Sequence, residues 1–116
     1  MQHDFEKYLW DIHRAGMDIL EFTQGKVFSD YQQDSLLRAA VERNFNVIGE
    51  AMRQVRSHFP EAAKGIEHGG EIVALRKMLP HEDNSVDEKT VWDITERELP
   101  VLIAEVTVLL DEWHQG

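Results

Sequence analysis

The sequence predicts an all-helical fold, an up-and-down bundle of about five helices forming one domain over residues 1–116. Three observations predict it. Apolar residues recur at three- and four-residue spacing through most of the chain, the period of one face of a helix. No segment shows the strict alternation of apolar and polar residues that marks a half-buried strand. The prolines Pro60, Pro80 and Pro100 divide the periodic stretches into lengths that suit a bundle.

The first helix is expected from Asp4 to Phe22, with Phe5, Tyr8, Leu9, Ile12, Ala15, Ile19 and Phe22 on one apolar stripe. The turn 23-TQGKVF-28 ends it, with Gly25 able to take a left-handed conformation. A second helix is expected to start at Ser29, since Ser29 and Gln32 have capping-box spacing. Leu36, Leu37, Ala40, Val41, Phe45, Ile48, Met52 and Val55 carry its period to about His58. Gly49 marks either a bend or a close approach to another helix. Pro60 stops that run and permits a short helix, 61-EAAKGI-66, followed by a connector of His68, Gly69 and Gly70.

A short helix from Glu71 to Leu79 is expected next. Pro80 ends it, having no N–H for the carbonyl of Arg76 and forcing Leu79 from helical angles. The segment 81-HEDNSV-86 reads as a loop, and Ser85 or Asp87 as the cap of a helix through Val91, Trp92 and Ile94. Pro100 suits the first position of a final helix, where a missing N–H costs nothing. From Val101 to Trp113 that helix is apolar around most of its circumference, so part of its surface should be covered, for instance by a second subunit.

Composition sets limits on function. The chain has no cysteine, which removes disulfides and thiolate zinc sites and fits a reducing compartment. No apolar run reaches the roughly 18 residues that suggest a bilayer span. The start MQHDFEKYLW lacks the apolar core of a signal peptide. A soluble cytoplasmic protein without membrane association is expected. Twelve basic residues against 22 acidic ones, a net charge of −10, argue against broad affinity for phosphate backbones. A small local cationic site or a basic partner remains compatible with that charge, and composition alone leans towards a protein-binding module.

The chemistry-bearing candidate is Arg76 with His81 in 76-RKMLPH-81. A guanidinium can hold a phosphodiester bidentately and stabilise transition-state charge, and an imidazole can move a ribose or leaving-group proton near neutrality. Five residues apart on one helix, the two would face different ways. The break at Pro80 frees His81 to turn back towards Arg76. The bland alternative is an arginine in a last helical turn beside an exposed histidine. His81, Glu82, Asp83 and Asp87 are a candidate set of metal ligands, but the segment lacks a calcium-loop pattern and H-E-x-x-H spacing, so no metal or other cofactor is expected. His58 and His68 read as lone exposed histidines. Arg38, Glu42, Arg43, Asn46, Glu50 and Arg53 form a polar stripe, in the bland reading a solvated face with ion pairs. Arg43 and Glu50, seven apart, share a face and are candidates to contact RNA or to support Arg76 or His81 from behind. Trp10, Trp92 and Trp113 read as core or interface anchors.

The chain also resembles the HepT-like branch of the HEPN superfamily (higher eukaryotes and prokaryotes nucleotide-binding domains). The resemblance runs through "YLWDI" and "EFTQG" of the first helix, "RNFNVIGEAMRQV" of the second, and "IVALRKMLPHEDNSVDEKTVWDITERELPVL". It implies an all-helical homodimer with two Arg–His pairs near a cleft between protomers, and metal-independent RNA cleavage by 2′-hydroxyl attack. It also implies a toxin–antitoxin pair whose antitoxin is an MNT-type minimal nucleotidyltransferase. Carried over, Arg76 binds the phosphate and His81 transfers the proton. Two positions depart from the family pattern. Lys77, itself a candidate to contact RNA or to support the Arg76–His81 pair, stands where a small polar residue, often asparagine, follows the arginine. Asp83 stands where the branch usually has a tyrosine that the nucleotidyltransferase can modify with AMP. These departures favour the alternative reading, a catalytically weak or silent helical module that binds such a partner.

Overall fold

The computed structural model describes residues 2–66 and 88–115, and all regular structure among them is helical. The helices are α1 (Gln2–Thr23), α2 (Phe28–Gln33), α3 (Ser35–His58), α4 (Pro60–Ala63) and α5 (Glu88–Gln115). The expected helix 71–79, Pro80, loop 81–86 and cap at Ser85 or Asp87 lie outside the described residues, as do His68, Gly69 and Gly70.

The apolar stripes decide the packing. Phe5, Leu9, Ile12, Ala15 and Ile19 of α1 are buried, with Leu9, Ile12 and Ile19 fully so. They meet Val41, Phe45, Ile48, Met52 and Val55 of α3 and Leu99, Leu102, Val106 and Leu110 of α5 in one core. Burying each large aliphatic or aromatic side chain of this kind contributes roughly 1.5–3 kcal/mol. The Phe5 ring lies 4.9 Å from Phe59, just beyond α3, and 5.2 Å from Trp113 near the end of α5. The beginning of α1 thus meets the ends of α3 and α5, and α1 runs antiparallel to both. Midway along, Gly16 lets α5 approach: a Cβ there would lie 2.9 Å from Ile103 Cγ1. Gly25 closes the turn after α1 at φ 74°.

Several expectations are corrected. The second helix is two helices, broken at Asp34, whose backbone is extended (φ −111°, ψ 100°). The Asp34 carboxylate accepts from the backbone N–H groups of Leu36 and Leu37, both at 3.1 Å, and so caps α3. Aspartate competes well for backbone donors and favours a cap over a helix interior. The entry to α2 uses Asp30, which accepts from the Val27 N–H at 2.9 Å, and the Ser29–Gln32 box is not the start. Leu36 follows the apolar period yet is 82% exposed, because it sits in the first turn of α3, and Phe22 at the end of α1 is also exposed.

Pro100 does not open a final helix: it lies inside α5, which runs unbroken from Glu88 to Gln115. A proline in a helix interior removes one hydrogen bond and disfavours the helix by roughly 3 kcal/mol. Here Leu99 and Leu102 on either side are fully buried, and Ile103, Val106 and Leu110 continue the same face onto α1. Packing of that face outweighs the local preference. The opposite side of α5 is less covered, with Val101 and Val108 exposed. Among the described residues, no helix is long and apolar enough to cross a membrane.

Candidate functional site

The inward set of α3 forces another set outward. With Val41, Phe45, Ile48 and Met52 turned to the core, the helical period puts Ala39, Arg43, Asn46 and Glu50 on the opposite face. With Lys7, Tyr8 and Asp11 of α1, this face lines a groove of about 830 Å3 that Glu42, Val47 and Ala51 also border. Arg43 and Glu50, paired in the sequence by their seven-residue spacing, both line it.

Most charges at the groove are paired. Lys7 Nζ lies 2.9 Å from Asp11 Oδ2, and this hydrogen bond, with the carboxylate charge, raises the lysine pKa above its ordinary value. Arg53 grips Glu50 through two contacts, Nη2 to Oε1 at 2.7 Å and Nε to Oε2 at 3.1 Å. Gln54 Nε2 adds a third donor to Glu50 Oε1 at 3.2 Å. The Glu50 contact holds the Arg53 pKa above the usual arginine value. Arg43 is different: it is exposed and makes no ion pair or hydrogen bond with the described residues, and the Asn46 side chain makes none either.

A second polar cluster sits where α2, α3 and the first turn of α5 meet. Arg38 donates to the carbonyl oxygens of Tyr31 and Gln32, and its Nε lies 3.7 Å from Glu88 Oε1. Burial pushes the Glu42 carboxyl above its ordinary pKa; the Arg38 charge opposes this and Glu88 reinforces it. Tyr31 is fully buried against Trp92, ring centres 5.4 Å apart, and its hydroxyl has no hydrogen-bond partner among the described residues. Burial, with the nearby Glu42 and Glu88 carboxylates, raises its pKa. Glu88 anchors the start of α5, the first described element after the Arg76–His81 sequence.

Of the residues selected from sequence, Arg43 and Glu50 converge on the groove, while Arg76, Lys77, His81 and Asp83 lie outside the described residues. The same holds for Glu82 and Asp87, the remaining members of the metal-ligand set. Among the described residues, no group of three or more His, Asp or Glu side chains gathers to hold a metal ion. His58 is exposed, Trp92 is buried, and Trp10 is 46% exposed with its ring 5.5 Å from His13. Tyr8, on the apolar stripe of α1, packs half-buried against the core and also opens onto the groove. Its hydroxyl at the edge of an apolar stripe was the available signal.

Comparison with known proteins finds relatives of the chain. A family model described as "Ribonuclease HepT-like" matches residues 12–109, a span that includes Arg76 and His81. "Putative RNase MJ1380" of Methanocaldococcus jannaschii is 29% identical over 108 residues, 93% of this chain and 98% of the relative. "Probable ribonuclease HepT" of Thermococcus cleftensis is 30% identical over 102 residues, covering 88% and 92% of the two chains. "Putative RNase TTE0752" of Caldanaerobacter subterraneus is 29% identical over 105 residues, covering 90% and 93%. No solved structure matches the chain.

Proposed function

Because the chain belongs to the ribonuclease HepT-like family, we propose that it is a metal-independent endoribonuclease and the toxin of a toxin–antitoxin pair. The observation that carries the reading is the family match across residues 12–109, which spans the R-x-x-x-x-H sequence from Arg76 to His81. Relatives described as ribonucleases along nearly their whole length support it.

In the proposed reaction the ribose 2′-oxygen attacks the adjacent phosphorus as its proton leaves. The bond from phosphorus to the 5′-oxygen of the next nucleotide breaks, and that oxygen takes up a proton. The products are a cyclic phosphate end and a free 5′-hydroxyl. Arg76 holds the phosphate and stabilises the charge that builds on its oxygens. His81 moves the proton. Asp83, a fixed negative charge two residues away, favours the imidazolium form, which suits a general acid better than a general base, and repels the RNA phosphate. The protein acts as a homodimer, for which exposed apolar side chains on α1 (Trp10, Met17) and α5 (Val101, Val108) supply contact area. Its partner is an MNT-type nucleotidyltransferase that restrains it by binding, since Asp83 removes the usual acceptor tyrosine.

The test uses purified wild type, Arg76→Ala and His81→Ala on RNA, with and without EDTA. Wild type is expected to cut equally well in EDTA, and His81→Ala to lose at least about 100-fold in rate. Loss of wild-type cleavage in EDTA would overturn the metal-independent mechanism. The net charge of −10, Lys77 and Asp83 favour a second reading, a silent module that only binds the nucleotidyltransferase. RNA left intact by wild type, together with a stable complex with the nucleotidyltransferase, would establish that reading instead.

A further inference from the structure

We propose that the groove between α1 and α3 seats one unstacked nucleotide of a single-stranded RNA segment, with its base on Tyr8 and its phosphate on Arg43. The assignment rests on the ribonuclease reading and deepens it. Charge selects an anion. At this groove Asp11 is matched by Lys7 and Glu50 by Arg53, and the Glu42 carboxyl, which also lines it, has its pKa raised by burial and lies in the field of Arg38; Arg43 is left as a guanidinium without an ion pair among the described residues. A planar fork of five donors fits a phosphate oxygen pair.

Shape and lining select the rest of the nucleotide. A volume of about 830 Å3 lies in the range of small-molecule pockets and accommodates a base and ribose. Tyr8 presents a half-buried ring on the α1 side, held by the same helix that contributes Ile12 to the core. Aromatic rings bind unstacked bases of any identity, whereas a base in a duplex is unavailable to such a ring. Asn46, one turn from Arg43, carries a side-chain amide with no partner among the described residues. Its donor and acceptor can read a base edge, so Arg43 and Tyr8 supply affinity and Asn46 supplies base preference. The arrangement also reconciles RNA binding with a net charge of −10: a local cation without an ion pair among the described residues acts at short range, and no broad basic surface is required.

The experiment measures binding of a short, labelled single-stranded RNA to the full chain carrying His81→Ala, which keeps the RNA intact. Fluorescence anisotropy is read over a range of salt concentrations. Arg43→Ala in this background is expected to weaken binding about 10-fold and to lower the slope of log affinity against log salt by about 0.7, the loss of one phosphate contact on a single strand. Tyr8→Leu is expected to weaken binding about 10-fold without changing that slope. Asn46→Ala is expected to narrow the spread of affinity among oligonucleotides differing at one base. Arg56→Ala, which removes an exposed positive charge away from the groove, is expected to leave binding unchanged. Far-UV circular dichroism confirms that each variant is helical. If the parent binds RNA and Arg43→Ala and Tyr8→Leu bind equally well, the ribonuclease reading stands and the groove assignment falls. If those variants split an oligomer while leaving RNA affinity unchanged, the groove is a protein interface and the assignment is likewise overturned. If wild type neither cleaves nor binds RNA, the ribonuclease reading falls and the groove assignment falls with it.

Discussion

Replacing Tyr31 by phenylalanine should stabilise this protein, which is the reverse of what most core substitutions do. The Tyr31 side chain is fully buried, and its hydroxyl finds no partner among the described residues. An unpaired hydroxyl taken out of water costs about 1–3 kcal/mol. Phenylalanine removes that cost and keeps the ring against Trp92, 5.4 Å away. Allowing for the small gap left by the oxygen, the expected gain is about 1 kcal/mol. For 116 residues, at about 2.1 cal/mol/K of unfolding entropy per residue, that corresponds to a rise of about 4 °C in the thermal midpoint. Melting followed by circular dichroism at neutral pH measures the shift, and urea titration should give a higher midpoint with an unchanged slope. A lower midpoint for Tyr31→Phe would refute the reasoning, since it would mean that the hydroxyl is hydrogen-bonded in solution, for example through water to Glu42.

Three further outcomes are expected. Asp34→Ala should destabilise by about 1 kcal/mol, because it removes the acceptor for two α3 N–H groups, whereas Ser29→Ala should change stability by less than about 0.5 kcal/mol; urea midpoints distinguish the two. Glu42 has a folded pKa raised by burial, so its contribution to stability is fully present below its unfolded pKa and lost as pH rises through the folded one. Glu42→Gln should therefore raise the thermal midpoint at pH 7, and its advantage over wild type should shrink as pH falls towards 4; a constant difference across that range would contradict the assignment. Asp83→Tyr, expressed without a partner, should arrest growth more strongly than wild type while His81→Ala should not arrest it, and equal toxicity of wild type and Asp83→Tyr would remove Asp83 as a restraint.

The parts of the fold that were legible in sequence are those in which one long-range requirement dominates. Leu9, Ile12 and Ile19 in α1, and Val41, Phe45 and Ile48 in α3, follow the helical period because each must reach the same core. Arg43 and Glu50 were legible for the complementary reason: once the inward positions are known, the outward ones follow. Local signals failed where two competed or where packing overrode them. The Ser29–Gln32 spacing pointed to one helix start, and the Asp34 carboxylate, by taking the N–H groups of Leu36 and Leu37, sets another five residues on. Leu36 matched the period but not the helix boundary. Pro100 obeyed a sound rule about first positions, and the fully buried Leu99 and Leu102 overrode it. The convergence of Tyr8 with Arg43 and Asn46 depends on how α1 lies against α3, which no spacing within either helix encodes. Likewise, the link from Arg38 to Glu88 joins residues fifty positions apart in sequence.

The most direct test of the central claim examines the ends of the RNA fragments that the purified protein produces in EDTA. The account predicts a cyclic phosphate on one fragment and a 5′-hydroxyl on the other. It also predicts that a single 2′-deoxy substitution at the cut site abolishes cleavage there, as does His81→Ala in the protein. Fragments ending in a 3′-hydroxyl and a 5′-phosphate, or cutting that persists beside the 2′-deoxy nucleotide, would contradict it.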